Sequence, residues 1–430
     1  MQFNLFQFIQ AAQNPITFVI WLFANGGWIP IVGLIFYGGA VFWLEWRRSL
    51  YDQGRRFITL AIDVPRNNEQ TPKAVEQMIT HLSGAHDGSA REDKWIDGRM
   101  DESFGLEIVS IGGYIQFIIH TNVIFRDLVE AAVYSQYPDV EISTIQDYTK
   151  PFKGMKFPND EWDCWGTDLK PTNHEAYPIK TYPSFEHTLS GEFIDPLGPM
   201  LEAMSKLGPD EQIWFQILVT NTDVSWRKKS NQLVKKLIGA KGSGSSKTIW
   251  DFLIDLPMTV LSIFGDMFTP SSGSEKNPFE PPTLMQHISP GERSSIEAIE
   301  MKASKVGFFT KVRFMYIARK SSFNGTRIDE MFGAIKQFNT LDMNGLKPDK
   351  LTVTKVYGLF KPWRKNRRKT RMLRRYRLRG TPLGPGYFGK IMNSEELATL
   401  YHFPVISVKA PLIKKSDAKR AEPPLSLPIE

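Results

Sequence analysis

The sequence predicts an α+β protein with an N-terminal transmembrane helix followed by two α/β sandwich domains, the second interrupted by an insertion. Three observations predict it. A nearly uncharged run flanked by tryptophans fills residues 28–46. Segments of strand period and helix period alternate through residues 56–148 and again, less regularly, through 177–345. An apolar fraction of 42% with 23% charged residues in 430 residues is the composition of a folded chain with a sizeable core.

The N-terminal element comes first, with residues 1–50 as the anchor region. Glu45 is the only charged side chain before Arg47. WIPIVGLIFYGGAVFWLEW, residues 28–46, would be roughly 28 Å long as a helix, close to the thickness of a hydrocarbon core. Trp28, Trp43 and Trp46 stand where interfacial aromatics anchor such helices, and Arg47, Arg48, Arg55 and Arg56 follow. The positive-inside rule then puts the N-terminus outside and the rest of the chain in the cytoplasm, as a single-pass protein of the cell membrane. A cleaved signal peptide would need a basic start, which residues 1–10 lack. The stretch 3–24, with Pro15 inside it, reads either as an interfacial helix or as a second, re-entrant segment.

The first soluble domain (56–148) is the most regular part. Residues 57–64 form a strand, and Thr71 and Pro72 open a helix with Ala74, Val75, Met78, Ile79 and Leu82 on one face. Phe104, Leu106 and Ile108 alternate along a second strand, Gly112 and Gly113 make a hairpin turn, and Ile115, Phe117 and Ile119 alternate along a third. Phe125, Leu128, Val129, Ala132 and Val133 form a helical stripe, and Val140, Ile142 and Thr144 a last strand. The order β-α-β-β-α-β is the split βαβ, or ferredoxin-like, arrangement, which names no function.

A loop rich in proline, tryptophan and charge (149–176) precedes the second domain. There, 178–185 is expected as a strand, 196–207 as a helix and 212–219 as a central strand. Ser289, Pro290 and Glu292 start a capped helix that Gly307 stops; Phe308, Val312, Phe314 and Tyr316 mark a strand, and Ile328, Met331, Phe332 and Ile335 a helix. A second ferredoxin-like sandwich with an insertion at 240–282 accounts for these segments. Within the insertion, GSGSSKT (242–248) lacks the spacing of a phosphate loop and has Ser246 in place of the glycine directly before its lysine, and is read as a linker. The apolar stretch 248–268 is expected to dock on the protein or a partner, with membrane-surface contact as the next reading.

Chemistry is sparse. One cysteine, Cys164, excludes an internal disulfide framework and any multi-cysteine metal site, and seven histidines offer no zinc-binding pattern. No nucleophile elbow, complete phosphate loop or dinucleotide motif is present. No enzyme activity, cofactor or metal is expected. The charge is uneven instead. The net charge is +7, yet residues 361–379 alone carry 11 basic and no acidic side chains, leaving −4 for the remainder. In KPWRKNRRKTRMLRRYRLR, helical spacing puts several guanidiniums on one face, with Trp363 and Tyr376 as stacking surfaces. Arg364, Arg367, Arg368, Arg371, Arg374 and Arg375 are the candidate contacts to phosphates of nucleic acid, with lipid headgroups or an acidic partner as the other readings. In the tail (346–430), Asn393 and Glu396 cap a short helix whose Leu397, Leu400 and Tyr401 form an apolar face, either for partner docking or for packing on its own domain.

Several stretches carry a resemblance: RFITLAIDVPRNNEQTPKAVEQM (56–78), DLVEAAVYSQYPDVEI (127–142), DPLGPMLEAMSKLGPDEQIWFQILV (195–219), NSEELATLYHFP (393–404) and KRAEPPLSLP (419–428). They are similar to the membrane-anchored region of conjugation-type (type IV secretion) FtsK/HerA-like DNA-transfer ATPases of small-genome bacteria. In those proteins the counterpart of AEPPLSLP leads into the motor domain, whereas this sequence ends at Glu430 with no phosphate-loop lysine to carry over. The resemblance implies a non-catalytic, membrane-anchored subunit that positions a separate FtsK/HerA-like motor ATPase. It also implies membrane lipid, DNA and further copies of the chain as partners. A membrane-bound scaffold of a secretion complex, with no nucleic-acid contact, is the alternative.

Overall fold

The computed structural model describes residues 23–24, 28–65, 68–85, 93–186, 194–238, 289–379 and 390–405. They fall into two compact units, one comprising 1–57 and 86–102 and the other 58–85 and 103–430. In the first, helix α1 (Trp28–Gln53) carries no charge as far as residue 44 and then Glu45, Arg47, Arg48 and Asp52. Those charges fill its last third, and among the described residues no helix is long and apolar enough to cross a membrane. The expected span at 28–46 therefore does not stand as a structural finding. Phe36 and Phe42 project outward from α1, while Arg55 pairs with Glu102 within the same unit.

The second unit is built on one nine-stranded antiparallel sheet, so the α+β class holds. Its first run is β1 (Phe57–Asp63), α2 (Pro72–Leu82), β2 (Ser103–Ile111), β3 (Tyr114–Asn122), α3 (Arg126–Tyr134) and β4 (Glu141–Ile145). Gly112 and Gly113 both take positive φ, 59° and 88°, as the two-residue β2–β3 hairpin requires. The second run is β5 (Trp162–Pro171), α4 (Gly198–Ser205), β6 (Glu211–Asn221), β7 (Gly307–Arg319), α7 (Thr326–Lys336) and β8 (Leu346–Pro348). Helices α5 (Trp226–Leu237) and α6 (Pro290–Ser304) lie between β6 and β7 in the chain, with α8 (Lys361–Leu378), β9 (Lys390–Asn393) and α9 (Ser394–Leu400) last.

The strands are ordered β4-β1-β3-β2-β6-β7-β5-β8, with β9 on β7. Each half has the same internal order, and the two meet where β2 pairs β6 from Ser103↔Thr220 to Ile111↔Gln212. Two separate sandwiches were expected; one continuous sheet is found. The reason is that β2 and β6 are buried on both faces, and pairing them satisfies the backbone groups that two open edges would expose.

A second difference concerns where the second half begins. Residues 178–185 form no strand, only a 3-10 turn at Tyr182–Phe185, and the strand expected there is β5, inside the stretch read as a loop. Asp163 and Asp168 interrupt its apolar pattern because their partners come from distant parts of the chain. The capped start of α6 is as expected: Ser289 Oγ accepts from Glu292 N–H at 3.3 Å, and Glu292 accepts from Ser289 N–H at 3.0 Å. Residues 239–288, which include both features singled out in the insertion, lie outside the described residues.

One sheet face packs on α2, α3, α4, α7 and α9 through Leu106, Phe117, Phe215, Phe314 and their neighbours. The other face is covered at its centre by α8, whose Met372, Leu373 and Tyr376 rest on Val109, Ile118, Trp214, Met315 and Ile317.

Candidate functional site

The basic segment folds as a single helix because its apolar residues fall at helical spacing. Met372, Leu373 and Tyr376 point inward with Lys369, and nearly everything else is polar. Pro362 stands in its first turn, and Phe360 and Arg379 take left-handed conformations at its two ends.

Its inner face is tied to the sheet by ionic and polar bonds. Lys369 pairs with Asp163, and Thr370 Oγ1 accepts from Phe157 N–H at 2.9 Å. Below the C-terminal end runs a row of polar residues that are cross-strand neighbours on β2, β6, β7 and β5: Glu107, Gln216, Arg313 and Asp168. All four are buried. Arg313 Nη1 donates to Arg375 C=O at 3.1 Å and Gln216 Nε2 to Tyr376 C=O at 3.3 Å, so the sheet supplies donors to carbonyls that a helix end leaves unsatisfied. Arg379 grips Glu107 at 2.7 Å and Asp147 at 2.7 Å. Burial pushes the Glu107 carboxyl up, but the Arg379 guanidinium outweighs it and the net shift is downward. Asp147 is held down at about 2: burial opposes this, and the Arg379 hydrogen bond and charge overcome it.

The outer face is different. Arg367, Arg371 and Arg374 are exposed, and Arg367 lies over the Trp363 ring, 5.2 Å from its centroid. Arg364, Arg368 and Arg375 are half-buried. Arg364 donates to Tyr357 C=O at 3.2 Å and Arg368 to Val353 C=O at 2.8 Å, so these two bind backbone while keeping their charge. Among the described residues no carboxylate pairs with any of these six arginines. Of the two expected stacking surfaces, Trp363 is exposed and Tyr376 is not: it is fully buried against Trp214, its hydroxyl 3.2 Å from that of Tyr148.

The expected docking helix is a correction. Leu397, Leu400 and Tyr401 are at most 1% exposed, and the whole run 391–404 is buried. Its polar residues are buried with it. Glu396 pairs with Lys302 at 2.9 Å, and the Lys302 ammonium also donates to Glu175 C=O at 2.7 Å. His402 bridges Asp195 and Ala398 C=O at 3.0 and 2.8 Å. Tyr401 and Phe403 pack edge-on against Phe117. A motif this specific is needed to close the core, which leaves no free apolar face for a partner.

One arrangement had no sequence signal. Lys305 sits between Glu76, at 2.7 Å, and Glu395, at the edge of an open groove of about 530 Å³ that Lys73, Thr80 and Tyr182 also line. Tyr182 donates to Glu76 at 2.7 Å. Lys305 answers both carboxylates, and the Ser394 hydroxyl also donates to Glu76, at 3.3 Å. Among the described residues no group of three or more histidine, cysteine, aspartate or glutamate side chains is placed to hold a metal ion. Cys164 is buried, and burial pushes its thiol up, away from nucleophilic behaviour.

The chain belongs to the family described as "Domain of unknown function (DUF8128)", whose profile matches residues 57–416. No curated protein matches it.

Proposed function

We propose that the chain is a non-catalytic, membrane-anchored subunit of a DNA-translocating machine of the type IV secretion kind, in which α8 holds DNA phosphates while a separate FtsK/HerA-like motor ATPase does the work. The observation that carries this reading is the two-sidedness of α8. Its inner face is fixed to the sheet by Lys369 and, just past its end, Arg379, both ion-paired, whereas Arg367, Arg371 and Arg374 face outward and have no carboxylate partner among the described residues. Guanidiniums pre-positioned on a rigid helix lose little entropy on meeting a row of phosphates, and each contact releases counterions. Anchoring rests on the uncharged residues 28–44 of α1, and the arginines after them put the body in the cytoplasm. In this reading each half of the sheet is a ferredoxin-like unit and the pair forms a platform under α8. Motor recruitment is not assigned to α9, which is buried.

The test is binding of double-stranded DNA by the full chain in detergent, titrated at several salt concentrations, beside a variant with Arg367, Arg371 and Arg374 changed to glutamine. Three lost phosphate contacts should lower the slope of log affinity against log salt by about 3. Binding that ignores salt, or that the triple variant retains in full, would overturn the reading in favour of a scaffold without nucleic-acid contact.

A further inference from the structure

The N-terminal end of α8 carries a feature that the DNA reading does not use. Tyr357, Leu359, Phe360 and Trp363 are 72%, 82%, 78% and 62% exposed, four large apolar side chains gathered within seven residues. The turn that presents them is built rather than loose. Gly358 and Phe360 both take positive φ, 92° and 54°, a conformation bulky side chains adopt rarely. Immediately before it, Val356 is buried, and Thr354 Oγ1 accepts from Gly166 N–H at 3.2 Å. From the helix side, Arg364 donates to Tyr357 C=O at 3.2 Å, and Arg364 N–H to Phe360 C=O at 3.0 Å. The backbone is therefore held from both directions while the side chains between point to solvent.

The chain on either side of the tip is cationic, and Asp329 of α7 is an acidic group near Lys355. Lys355, Lys361, Arg364, Lys365 and Arg367 flank the tip, and the sequence has no acidic residue between Asp349 and Glu395. Tryptophan, tyrosine, phenylalanine and leucine at an exposed tip, ringed by lysine and arginine, suit the boundary between headgroups and acyl chains of an anionic bilayer. Nucleic acid suits them less well: the most exposed of the four, Leu359, has no ring on which a base could stack.

We propose that Tyr357, Leu359, Phe360 and Trp363 form a membrane-inserting tip that docks this end of α8 on a bilayer containing anionic lipid. This goes beyond the DNA reading and does not depend on it. Arg374 lies roughly 16 Å further along the helix axis than Trp363, about two Debye lengths at physiological salt, while Arg367, over the Trp363 ring, is common to the lipid and DNA contacts.

The test places a nitroxide label at the tip of the full chain through Leu359→Cys, with Lys336→Cys on α7, in the opposite layer, as the control. Cys164 is buried and leaves the introduced thiols to react. With vesicles of phosphatidylcholine and phosphatidylglycerol in equal parts, the label at 359 should become accessible to oxygen and shielded from a water-soluble nickel reagent. The label at 336 should stay in water. Adding Phe360→Ser and Trp363→Ser should return the 359 label to water. A label at 359 that remains water-exposed with these vesicles would overturn the proposal. So would equal immersion in phosphatidylcholine alone, or immobilisation by DNA without lipid, which would make the tip a base-stacking surface. Loss of DNA binding in the arginine variant is a separate readout, so the two readings fail independently.

Discussion

Arg379 and Glu107, 272 residues apart in the chain, are joined by hydrogen bonds of 2.7 and 3.1 Å beneath the C-terminal end of α8. Both side chains are almost completely buried, and the same guanidinium reaches Asp147. Removing one partner leaves a buried charge unanswered. Arg379→Ala is expected to cost about 3–5 kcal/mol in denaturant unfolding of the full chain, and Glu107→Ala a similar amount. The double variant should lose clearly less than the sum, because the second substitution removes the charge that the first had stranded. Strict additivity would mean that the pair does not hold α8.

The same region sets a dependence on pH. Burial, with the Arg379 charge adding to it, holds His120 down to about 4, so the folded protein keeps this imidazole neutral while the unfolded chain protonates it near 6.5. Between those values the unfolded state binds the extra proton, so stability falls as pH drops from about 6.5 to 4, by an amount on the order of 3 kcal/mol. Asp147 acts lower down. Its folded pKa of about 2 lies below its ordinary value of 3.8, so its contribution is present above 3.8 and is lost as pH falls towards 2. Both groups therefore make acid destabilising, in successive windows. His120→Gln should flatten the upper window and leave the lower one, as read by unfolding midpoints measured across pH. An unchanged upper slope in that variant would remove His120 from the account.

The burial of α9 makes a prediction that separates folding from docking. Leu397→Ala and Tyr401→Ala should each destabilise the purified chain by about 2–5 kcal/mol, as large-to-small changes in a core do. The loss should be the same with no partner present. Unaltered thermal stability alongside loss of a binding partner would restore α9 as a docking element.

These cases show which parts of the fold were legible in the sequence. Where apolar residues recur at a strand or helix period, as along β2, β3, α2 and α3, periodicity locates the element closely. It failed at β5, where Asp163 is half-buried and Asp168 buried because Lys369 and Arg313 answer them. Pairing across 145 residues or more leaves no trace in a local pattern. The joining of β2 to β6 was hidden for a related reason. A strand such as β6, with a nearly continuous apolar run, announces that it is central without saying which strand lies beside it. In α8 the count of basic residues was legible, but its division was not. Lys369 and Arg371 look alike in sequence, and only the spacing of Met372, Leu373 and Tyr376 hints at which way each points.

That division is itself testable with two single substitutions of similar chemistry on one helix. Lys369 is 4% exposed and paired with Asp163, whereas Arg371 is exposed and among the described residues has no carboxylate partner. Lys369→Ala strands a part-buried carboxylate and should cost about 1–3 kcal/mol of stability. It should leave the salt dependence of DNA binding almost untouched, since this ammonium never faced the ligand. Arg371→Gln should do the reverse. Its stability should stay within about 0.5 kcal/mol of the parent, as for most surface changes, while the salt slope drops by about 1, one phosphate contact. Measuring both properties on both variants gives a crossed pattern that neither general unfolding nor a general loss of positive charge can produce. If both variants lowered the salt slope equally, net charge rather than the outer face of α8 would govern binding.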